Sequence, residues 1–344
     1  GMSVRVEAFQ GDPREWDAFV ATMPGASGYH DFAWRGILES SFGHAPYYLA
    51  ATEEGALRGV LPLVHMKSLL FGNFLVSLPF VTYGGLLARD EASAKALLQA
   101  AEDLRARLGA RHVELRHTGE VNLTLPAKRH KVAMVLALDG SEDGMWGGVG
   151  VKVRNQVRKA QRSGLEVVWG RAELLDDFYT VFVRNMRDLG TPVYAKSFFA
   201  NVLAGLPEQT RIVLIRSNAK PAAAGLLYWH GDTLEIPWAS SIRDYNSLCP
   251  NNLMYWEAIR HGLSLGLGRF DLGRSTPGAG TFKFKAQWGA MPEPLAWHYV
   301  LPAGEALPNL TNQNPKYSLA IDMWQRLPLP VTKIIGPPIV RCIP

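Results

Sequence analysis

The chain contains few of the residues that would identify a metal or redox site. Its 344 residues include two cysteines, Cys249 and Cys342, which lie far apart and form no metal-binding or redox motif. The nine histidines are scattered. His112 and His117 fall in one predicted strand, but on its opposite faces, which is a poor arrangement for a shared metal ion. We therefore expect no metal site, and the scarcity of cysteine favours the reducing cytoplasm.

Motifs of several enzyme classes are also missing. The sequence has no Gly-x-Ser-x-Gly nucleophile elbow, no Walker phosphate loop and no His-Glu-x-x-His zinc motif. These absences argue against hydrolase, NTPase and metalloenzyme functions. Gly1 before Met2 resembles the remnant of a cleaved tag, and no signal peptide follows, which again favours the cytoplasm.

Charge is modest in amount and only mildly basic in balance. Charged residues make up 19% of the chain, and 36 Lys plus Arg against 31 Asp plus Glu leave a net charge of +5. This balance suits an anionic ligand, RNA or a membrane surface without requiring any of them. The apolar fraction of 47% excludes a disordered chain, and the length fits two domains.

One uncharged stretch, from Ser68 to Ala88, is long enough to span a bilayer. Gly72, Asn73 and Pro79 interrupt it, and its β-branched and aromatic residues favour buried strands instead.

The order of patterns predicts an α/β (α+β) protein with two domains of similar design. Helices are predicted after Asp12, from Asp31, over Glu91–Leu108, and again over 152–163, 174–189, 197–203 and 251–265. Strands are predicted over 46–52, 57–66, 113–115, 132–138, 165–169, 211–215, 222–228, 233–239 and 269–272. We expect a first domain at 1–139 and a second at 140–303, joined by a linker over Asp139–Gly150, with the segment 304–344 packed on the first domain.

Two predicted hairpins resemble each other. Each has a polar turn followed by a glycine, Gly59 or Gly225, that leads into an apolar strand. The similarity is consistent with an internal duplication, although hairpins share turn chemistry in any case.

A basic cluster at 152–162 is the first candidate binding site. Lys152, Arg154, Arg158, Lys159 and Arg162 occur with no acid among them, and the three arginines lie four residues apart on one helix face. Like charges at this spacing repel, and an anionic partner would relieve that repulsion. A solvated basic face explains the pattern equally well.

The second candidate follows a predicted strand that ends in Trp238, Ser240, Ser241 and Arg243. These side chains offer hydrogen-bond donors to a ligand, or they cap the following loop.

The third candidate runs from Phe270 to Gly289. Asp271 and Arg274 precede a glycine-rich loop, and the run 282–287 alternates Phe282, Phe284 and Ala286 with Lys283, Lys285 and Gln287. The alternation predicts a strand with one basic face, and a glycine-rich loop can present peptide N–H groups to an anion. An exposed hairpin with an ordinary polar face accounts for the same pattern.

Several of these runs together resemble the FemAB family. They are Trp238–Ser241, Pro250–Ile259, Phe270–Arg274, Phe284–Gly289, the basic run 152–160 and the tail 326–330. The match is best to the FemAB-like subgroup associated with exosortase/PEP-CTERM exopolysaccharide loci. The resemblance implies two tandem GNAT-like acyltransferase domains with mixed, mainly antiparallel sheets flanked by helices, and an active cleft in the second domain.

The resemblance also implies an activity: transfer of an acyl or aminoacyl group to an amine of a cell-envelope or exopolysaccharide-related precursor. Aminolysis of this kind needs no covalent enzyme intermediate, so the missing nucleophile motifs are no obstacle. The donor, aminoacyl-tRNA or acyl-CoA, is expected as a cosubstrate rather than a tightly bound cofactor. There are two alternatives. One is an acyl-CoA-dependent N-acyltransferase, and the other is a non-catalytic GNAT-fold protein that binds a nucleotide-sugar or lipid-linked intermediate.

Residue roles follow by position. The family's Phe-Lys-x-x-Phe-Gly element maps to Phe284, Lys285, Trp288 and Gly289, with Trp288 in place of the second Phe. Lys285 is expected to stabilise negative charge, and Asp271 or Glu235 to accept a proton.

The remaining candidates are expected to bind substrate. Tyr255 belongs to the matching run. The segment from Arg274 to Gly280 approximates the acyl-CoA pyrophosphate loop with one residue too many. The helix with Lys152, Arg154 and Arg158 would meet tRNA or a nucleotide diphosphate.

The tail 327–344 holds five prolines, which argues against a stable amphipathic helix. Packing on the first domain is expected, with peripheral inner-membrane contact as the alternative.

Overall fold

The computed structural model of the chain describes residues 3–119, 121–307 and 315–344. Two units have most of their contacts within themselves. The first comprises Gly1–Lys131, Pro294–Leu310 and Arg341–Pro344, and the second comprises Val132–Glu293 and Thr311–Val340.

Local chemistry starts and stops the helices of the first unit where the sequence predicts. The Asp12 carboxylate accepts the Arg14 N–H at 2.9 Å and the Asp90 carboxylate accepts the Ser93 N–H at 2.7 Å, so each caps a helix start. Gly109 ends the helix of Asp90 with a φ of +67°. The helices described in this unit are α1 (Pro13–Ala21), α2 (Ala33–Phe42) and α3 (Glu91–Leu108).

The strands of the first unit form one mostly antiparallel sheet in the order β1-β2-β3-β4-β6-β14. Its strands are β1 (Arg5–Ala8), β2 (Ala45–Glu53), β3 (Ala56–Ser68), β4 (Gly72–Ser77), β5 (Leu87–Ala88), β6 (Val113–Thr118), β7 (Ala127–Lys128) and β14 (Met291–Val300). Strands β4 and β6 are parallel, β5 pairs with β3, and β7 pairs with β14. Helix α3 covers one face through Leu97, Ala101 and Leu104.

The second unit repeats this design, in the order β9-β10-β11-β12-β13-β8. Its strands are β8 (Val132–Ala137), β9 (Glu166–Gly170), β10 (Thr210–Ser217), β11 (Lys220–His230), β12 (Thr233–Ser241) and β13 (Arg269–Ser275). Its helices are α4 (Glu142–Gly148), α5 (Val151–Arg162), α6 (Leu175–Leu189), α7 (Lys196–Gly205), α8 (Pro250–Ser264), α9 (Gly280–Gln287), α10 (Pro315–Gln325) and α11 (Leu329–Val340).

The two sheets share a connection pattern. In each, four antiparallel strands are followed by a helix (α3 or α8) that crosses to a parallel strand (β6 or β13). An antiparallel strand flanks that parallel strand: β14, the last strand of the chain, in the first unit, and β8, which precedes β9, in the second. The two glycines of the predicted hairpins occupy equivalent strands. A Cβ on Gly59 would lie 2.8 Å from Leu97 of α3, and one on Gly225 would lie 2.7 Å from Ile236 and 3.2 Å from Met254 of α8. The mixed α/β fold is as predicted, and the equivalent glycines favour an internal duplication.

The boundary between the units differs from the expected one. Strand β8 belongs to the second unit because it pairs with β13, although a boundary at residue 139 places it in the first. The expected linker contains a helix, α4, whose start is capped by the Ser141 hydroxyl accepting the Gly144 N–H at 3.0 Å. Glycine content alone therefore gave a wrong prediction of linker structure there.

The tail also differs from the prediction. Helices α10 and α11 both contact α6 of the second unit. Of the described residues from 304 onward, 304–307 and Arg341–Pro344 lie with the first unit. Pro330 is tolerated because the first turn of a helix needs no N–H at that position, although Pro337 and Pro338 lie further inside α11. The proline- and asparagine-rich residues 308–314 lie outside the described part of the chain.

Candidate functional site

The parallel strands β12 and β13 pair only over their first half. Their register pairs are Thr233 with Arg269, Leu234 with Phe270, and Glu235 with Asp271. Beyond that point β12 stays bonded to β11 and β13 stays bonded to β8, but no further pair joins β12 to β13 within these fully described strands. The sheet therefore opens between the two strands at Glu235 and Asp271.

Both carboxylates are buried at this opening. Glu235 and Asp271 are each 6% exposed. Their sequence neighbours Leu234, Phe270 and Leu272 belong to the core under α5 and α8, so the alternation of side chains directs both carboxylates to the opposite face, the α6 side. Two acids at adjacent register positions provide proton acceptors a single strand spacing apart, about 4.8 Å between backbones.

A β-bulge follows Asp271. The register between β13 and β8 shifts between Asp271 and Arg274, and Gly273 adopts a φ of +96°. An Asp271 carboxylate oxygen accepts the Gly273 N–H at 2.8 Å, which fixes the carboxylate against the bulge.

Lys285 is buried next to this bulge. Its Nζ donates to the Arg274 carbonyl oxygen at 3.1 Å and to the Ser275 Oγ at 3.0 Å. A Cβ on Gly273 would come within 3.5 Å of the same Nζ. Lys285 is only 9% exposed, and a buried ammonium group needs such partners. Its position places a positive charge close to the Asp271 segment.

The residues around Lys285 form a helix, and the predicted strand is wrong. Lys285 lies on α9, where Phe284, Lys285 and Trp288 share the buried side rather than alternating. The ring of Phe284 packs edge-on against Tyr255 at 5.3 Å, and Trp288 lies 6.4 Å from Tyr255. These aromatic contacts with α8 favour the helix over the strand that Phe-Lys-Phe-Lys alternation predicts.

Tyr255 and Trp288 at the site are buried in the core. Burial raises the pKa of Tyr255 to about 12, so its hydroxyl stays protonated at neutral pH. Trp288 is 1% exposed, and its Nε1 has no hydrogen-bond partner among the described residues.

On β12, Trp238 and Ser240 lie on the face of the carboxylates. Trp238 packs edge-on against Phe198 and Phe199 of α7, at 5.2 and 5.4 Å. Ser240 is buried and its hydroxyl accepts from Asn185 of α6 at 3.3 Å. The half-buried Ser241 pairs with Ala223, and Arg243 is exposed and donates to the Asp188 carbonyl oxygen. The structure thus brings Ser240 to the opening but places the Arg243 side chain at the surface.

The basic cluster forms helix α5, as predicted. Lys152 and Arg158 are exposed and Arg154 is half-buried, while Val153, Val157 and Ala160 pack into the core. The Arg158 guanidinium lies over the Trp146 ring at 5.3 Å. The helix begins beside the end of α9, because a Cβ on Gly150 would lie 3.7 Å from the Gln287 carbonyl oxygen.

The equivalent opening in the first unit lacks the acids. Strands β4 and β6 part after Ser77 and Leu115, so a serine and a leucine occupy the positions of Glu235 and Asp271. The chain itself then follows β6, since Gly84 N–H donates to the Arg116 carbonyl oxygen at 2.8 Å and Leu86 N–H donates to His117 Nε2 at 3.1 Å. The buried acid pair is therefore a feature of the second unit.

Comparison with known proteins identifies the fold. Residues 151–286, a range that contains β12, β13 and most of α9, match the family model described as an acetyltransferase (GNAT) domain. Among solved structures, FemX is similar over 84% of this chain and 96% of its own, at 15% identity and a TM-score of 0.67. The chain has the GNAT fold.

Two further structures of this fold are similar over most of the chain. A tandem GNAT protein from the clavulanic acid biosynthesis pathway is 12% identical, with 89% of this chain and 100% of that chain covered and a TM-score of 0.57. The C-terminal domain of a putative lysylphosphatidylglycerol synthetase from Agrobacterium fabrum is 14% identical, with coverages of 91% and 94% and a TM-score of 0.56. A search of the curated proteins found no match.

Sequence patterns missed several residues of the site. Ser275 and Gly273, which hold Lys285 and Asp271, fall within the third candidate run but were given no role, and Asn185 lies far from Ser240 in the chain. The φ-permissive glycine within Asp-Leu-Gly-Arg was the one available indication of a bulge. In the described residues no group of three or more His, Cys, Asp and Glu could hold a metal ion.

Proposed function

We propose that the protein is an acyl or aminoacyl transferase that acylates an amine of a cell-envelope or exopolysaccharide-related precursor. The observation that carries the proposal is the buried pair Glu235 and Asp271 at the point where β12 and β13 part. Paired acids at this opening of the sheet provide a proton acceptor beside peptide groups of β12 that do not pair with β13. The GNAT match over residues 151–286 supports acyl transfer as the reaction class.

The reaction is direct aminolysis. A neutral amine nitrogen attacks the acyl carbonyl carbon, a C–N bond forms, and the C–O bond of an ester or the C–S bond of a thioester breaks. The nitrogen loses one proton and the departing oxygen or sulfur takes up one, so the step balances without a covalent enzyme intermediate. Glu235 or Asp271 accepts the proton from nitrogen, directly or through water.

Negative charge on the carbonyl oxygen needs donors. Beyond Glu235 the peptide groups of β12 around Trp238–Ser240 form no ladder with β13, which makes them suitable donors to the carbonyl oxygen. Lys285 lies beside the Gly273 bulge. Its positive charge stabilises the negative charge that develops on the carbonyl oxygen during the reaction.

Binding of the anionic substrate is assigned to the basic side of α5. Lys152, Arg154 and Arg158 meet the phosphates of tRNA, of coenzyme A or of a lipid- or nucleotide-linked acceptor. The donor is a cosubstrate. An aminoacyl donor is favoured by the structural similarity to a protein named lysylphosphatidylglycerol synthetase, and an acyl-CoA donor by the acetyltransferase family model.

A transfer assay with both donor classes tests the proposal. Purified protein is incubated with charged tRNA or with acyl-CoA and a panel of amine acceptors, and products are identified by mass spectrometry. We expect acylated amine with one donor class, and loss of product with Asp271→Asn. Binding of a donor without turnover by any acceptor, together with no effect of Asp271→Asn, would instead indicate a non-catalytic binding protein.

A further inference from the structure

The hairpin between β3 and β4 ends in three exposed apolar residues. Leu69 is 106% exposed, Leu70 81% and Phe71 39%. Solvent-exposed apolar residues in a row are unusual on a protein surface and mark a contact with an apolar phase or partner. The proposed transfer chemistry does not use them, because β3 and β4 belong to the first unit.

The hairpin tip is firmly held at its base. The Asn73 side chain donates to the carbonyl oxygens of Leu108 and Gly109 at 3.0 and 3.2 Å, and its Oδ1 is 2.5 Å from His65 Nε2. The Ser68 hydroxyl accepts the Phe71 N–H at 3.0 Å, which fixes the turn. The apolar side chains are therefore presented on a defined turn.

The tip is also convex and short. Strand β2 pairs with β3 only as far as His65, and β6 pairs with β4 only from Leu75. Beyond those points β3 and β4 pair with each other, and the Asn73 carbonyl oxygen also accepts the Arg111 N–H at 2.8 Å. From Asn73 to Leu70 the chain spans at most about 10 Å, three residues of ~3.3 Å each. Interfacial segments bury their apolar side to a depth of about 5–10 Å in a bilayer, which matches this projection.

Positive charge lies at the base of the tip. Lys67 is exposed just before it, and an exposed Arg111 lies 3.9 Å from where a Gly72 Cβ would be. The sequence from residue 55 to residue 89 contains no acid. The apolar residues at the tip suit the lipid tails of a bilayer. The two cations at the base of the tip suit its anionic headgroups.

We propose that Leu69, Leu70 and Phe71 insert into an anionic lipid bilayer, with Lys67 and Arg111 at the headgroups. This binding is independent of the proposed transfer reaction, and the variants that test it leave the residues of the second-unit site unchanged. None of the helices in the described ranges combines the length and apolar character that a membrane-spanning helix needs.

Vesicle flotation of the full chain tests the inference. Vesicles of phosphatidylcholine mixed with phosphatidylglycerol are compared with vesicles of phosphatidylcholine alone, using wild type, Leu69→Ser/Leu70→Ser and Lys67→Gln. The matched control is Leu319→Ser/Met323→Ser, which changes two exposed apolar residues of α10. Circular dichroism and thermal unfolding confirm that each variant is folded.

We expect wild type to float with the anionic vesicles and the α10 control to behave like it. The double hairpin variant should bind at least about tenfold more weakly, since two apolar side chains no longer leave water. Lys67→Gln should weaken binding about fivefold at low salt. Equal binding by the hairpin variant, or loss of binding only in the α10 control, would overturn the inference.

Self-association is the remaining competing use of the tip. Sedimentation velocity without vesicles distinguishes it: a concentration-dependent dimer that Leu69→Ser/Leu70→Ser abolishes, combined with no flotation of wild type, would assign the tip to a second copy of the chain and contradict membrane insertion.

Discussion

Glu235 and Asp271 lie opposite each other on β12 and β13, in the last register pair before the two parallel strands separate. The two residues are far apart in the sequence, and the crossover through α8 brings them side by side. In the first unit, Ser77 and Leu115 hold the equivalent pair of positions. The two units therefore share a strand arrangement but differ at this pair, which is two acids in the second unit and a serine and a leucine in the first.

Replacing either acid should reduce transfer strongly. We expect Glu235→Gln or Asp271→Asn to lower the rate by about 10²–10⁴-fold, the usual contribution of a positioned proton acceptor. If the two acids act as a unit, the double variant should be little worse than the more damaging single one. Steady-state rates with the active donor measure this, and Glu166→Gln on exposed β9 is the control. Full activity in both single variants would remove the pair from the mechanism.

Lys285 should matter far more than its neighbour Lys283. Lys285→Ala removes a buried positive charge beside the bulge, and we expect a loss of about 10²-fold in rate. Lys283→Ala, at an exposed position of the same helix, should retain full activity. Thermal unfolding of both variants separates an effect on the reaction from loss of the fold. An unchanged rate for a folded Lys285→Ala would show that the charge has no role.

The basic side of α5 should affect substrate affinity rather than the chemical step. Arg154→Gln/Arg158→Gln is expected to raise KM about tenfold at low ionic strength with kcat nearly unchanged, and the effect should shrink as salt increases. Lys220→Gln, a change at the exposed first residue of β11, serves as the control. A fall in kcat without a change in KM would contradict a binding role.

Stability should fall as the solution is acidified because of His117. Burial, with smaller contributions from His298 and His30, lowers the pKa of His117 to about 3 from 6.5. Its imidazole therefore stays neutral in the folded protein while the unfolded chain takes up a proton below about pH 6.5, so stability that is present above that pH is lost as the pH falls.

Urea unfolding measures that loss. From about pH 7 to about pH 5 the free energy of unfolding should drop by about 1–2 kcal/mol from this group alone. His117→Gln, which cannot titrate, should show a smaller drop over the same range. An identical pH dependence in the two proteins would assign the effect to other groups.

Much of the fold could be predicted from local patterns. Apolar residues recur with regular periodicity in helices α3, α5, α6 and α8 and in the strands β10–β12. Caps or glycines end these elements, and both features can be recognised from neighbouring residues alone. Helix α9 was predicted as a strand because its Phe-Lys-Phe-Lys alternation has a period of two. Contacts of Phe284 and Trp288 with Tyr255 decide for a helix, and they depend on residues about thirty positions away.

The candidate site was only partly predictable for the same reason. Residue type and family resemblance pointed to Glu235, Asp271 and Lys285, and the structure adds that two of them share a register pair. The sequence could not predict the partners of Lys285, which are the Arg274 carbonyl and the Ser275 hydroxyl. Every residue has a backbone carbonyl oxygen, so residue type does not show which one accepts a hydrogen bond. Burial of Trp238 against Phe198 likewise depends on α7, and its role in binding substrate stays a prediction.

The strand order has a consequence for how the chain folds during synthesis. The sheet of the first unit is completed by β14, which pairs with β6 and is made after every other strand. During synthesis the edge of β6 therefore stays unpaired until residues 295–300 leave the ribosome. The first unit therefore cannot complete its sheet until nearly all of the second unit has been synthesised. A nascent chain that stalls before then would expose the unpaired edge of β6 and be prone to aggregate.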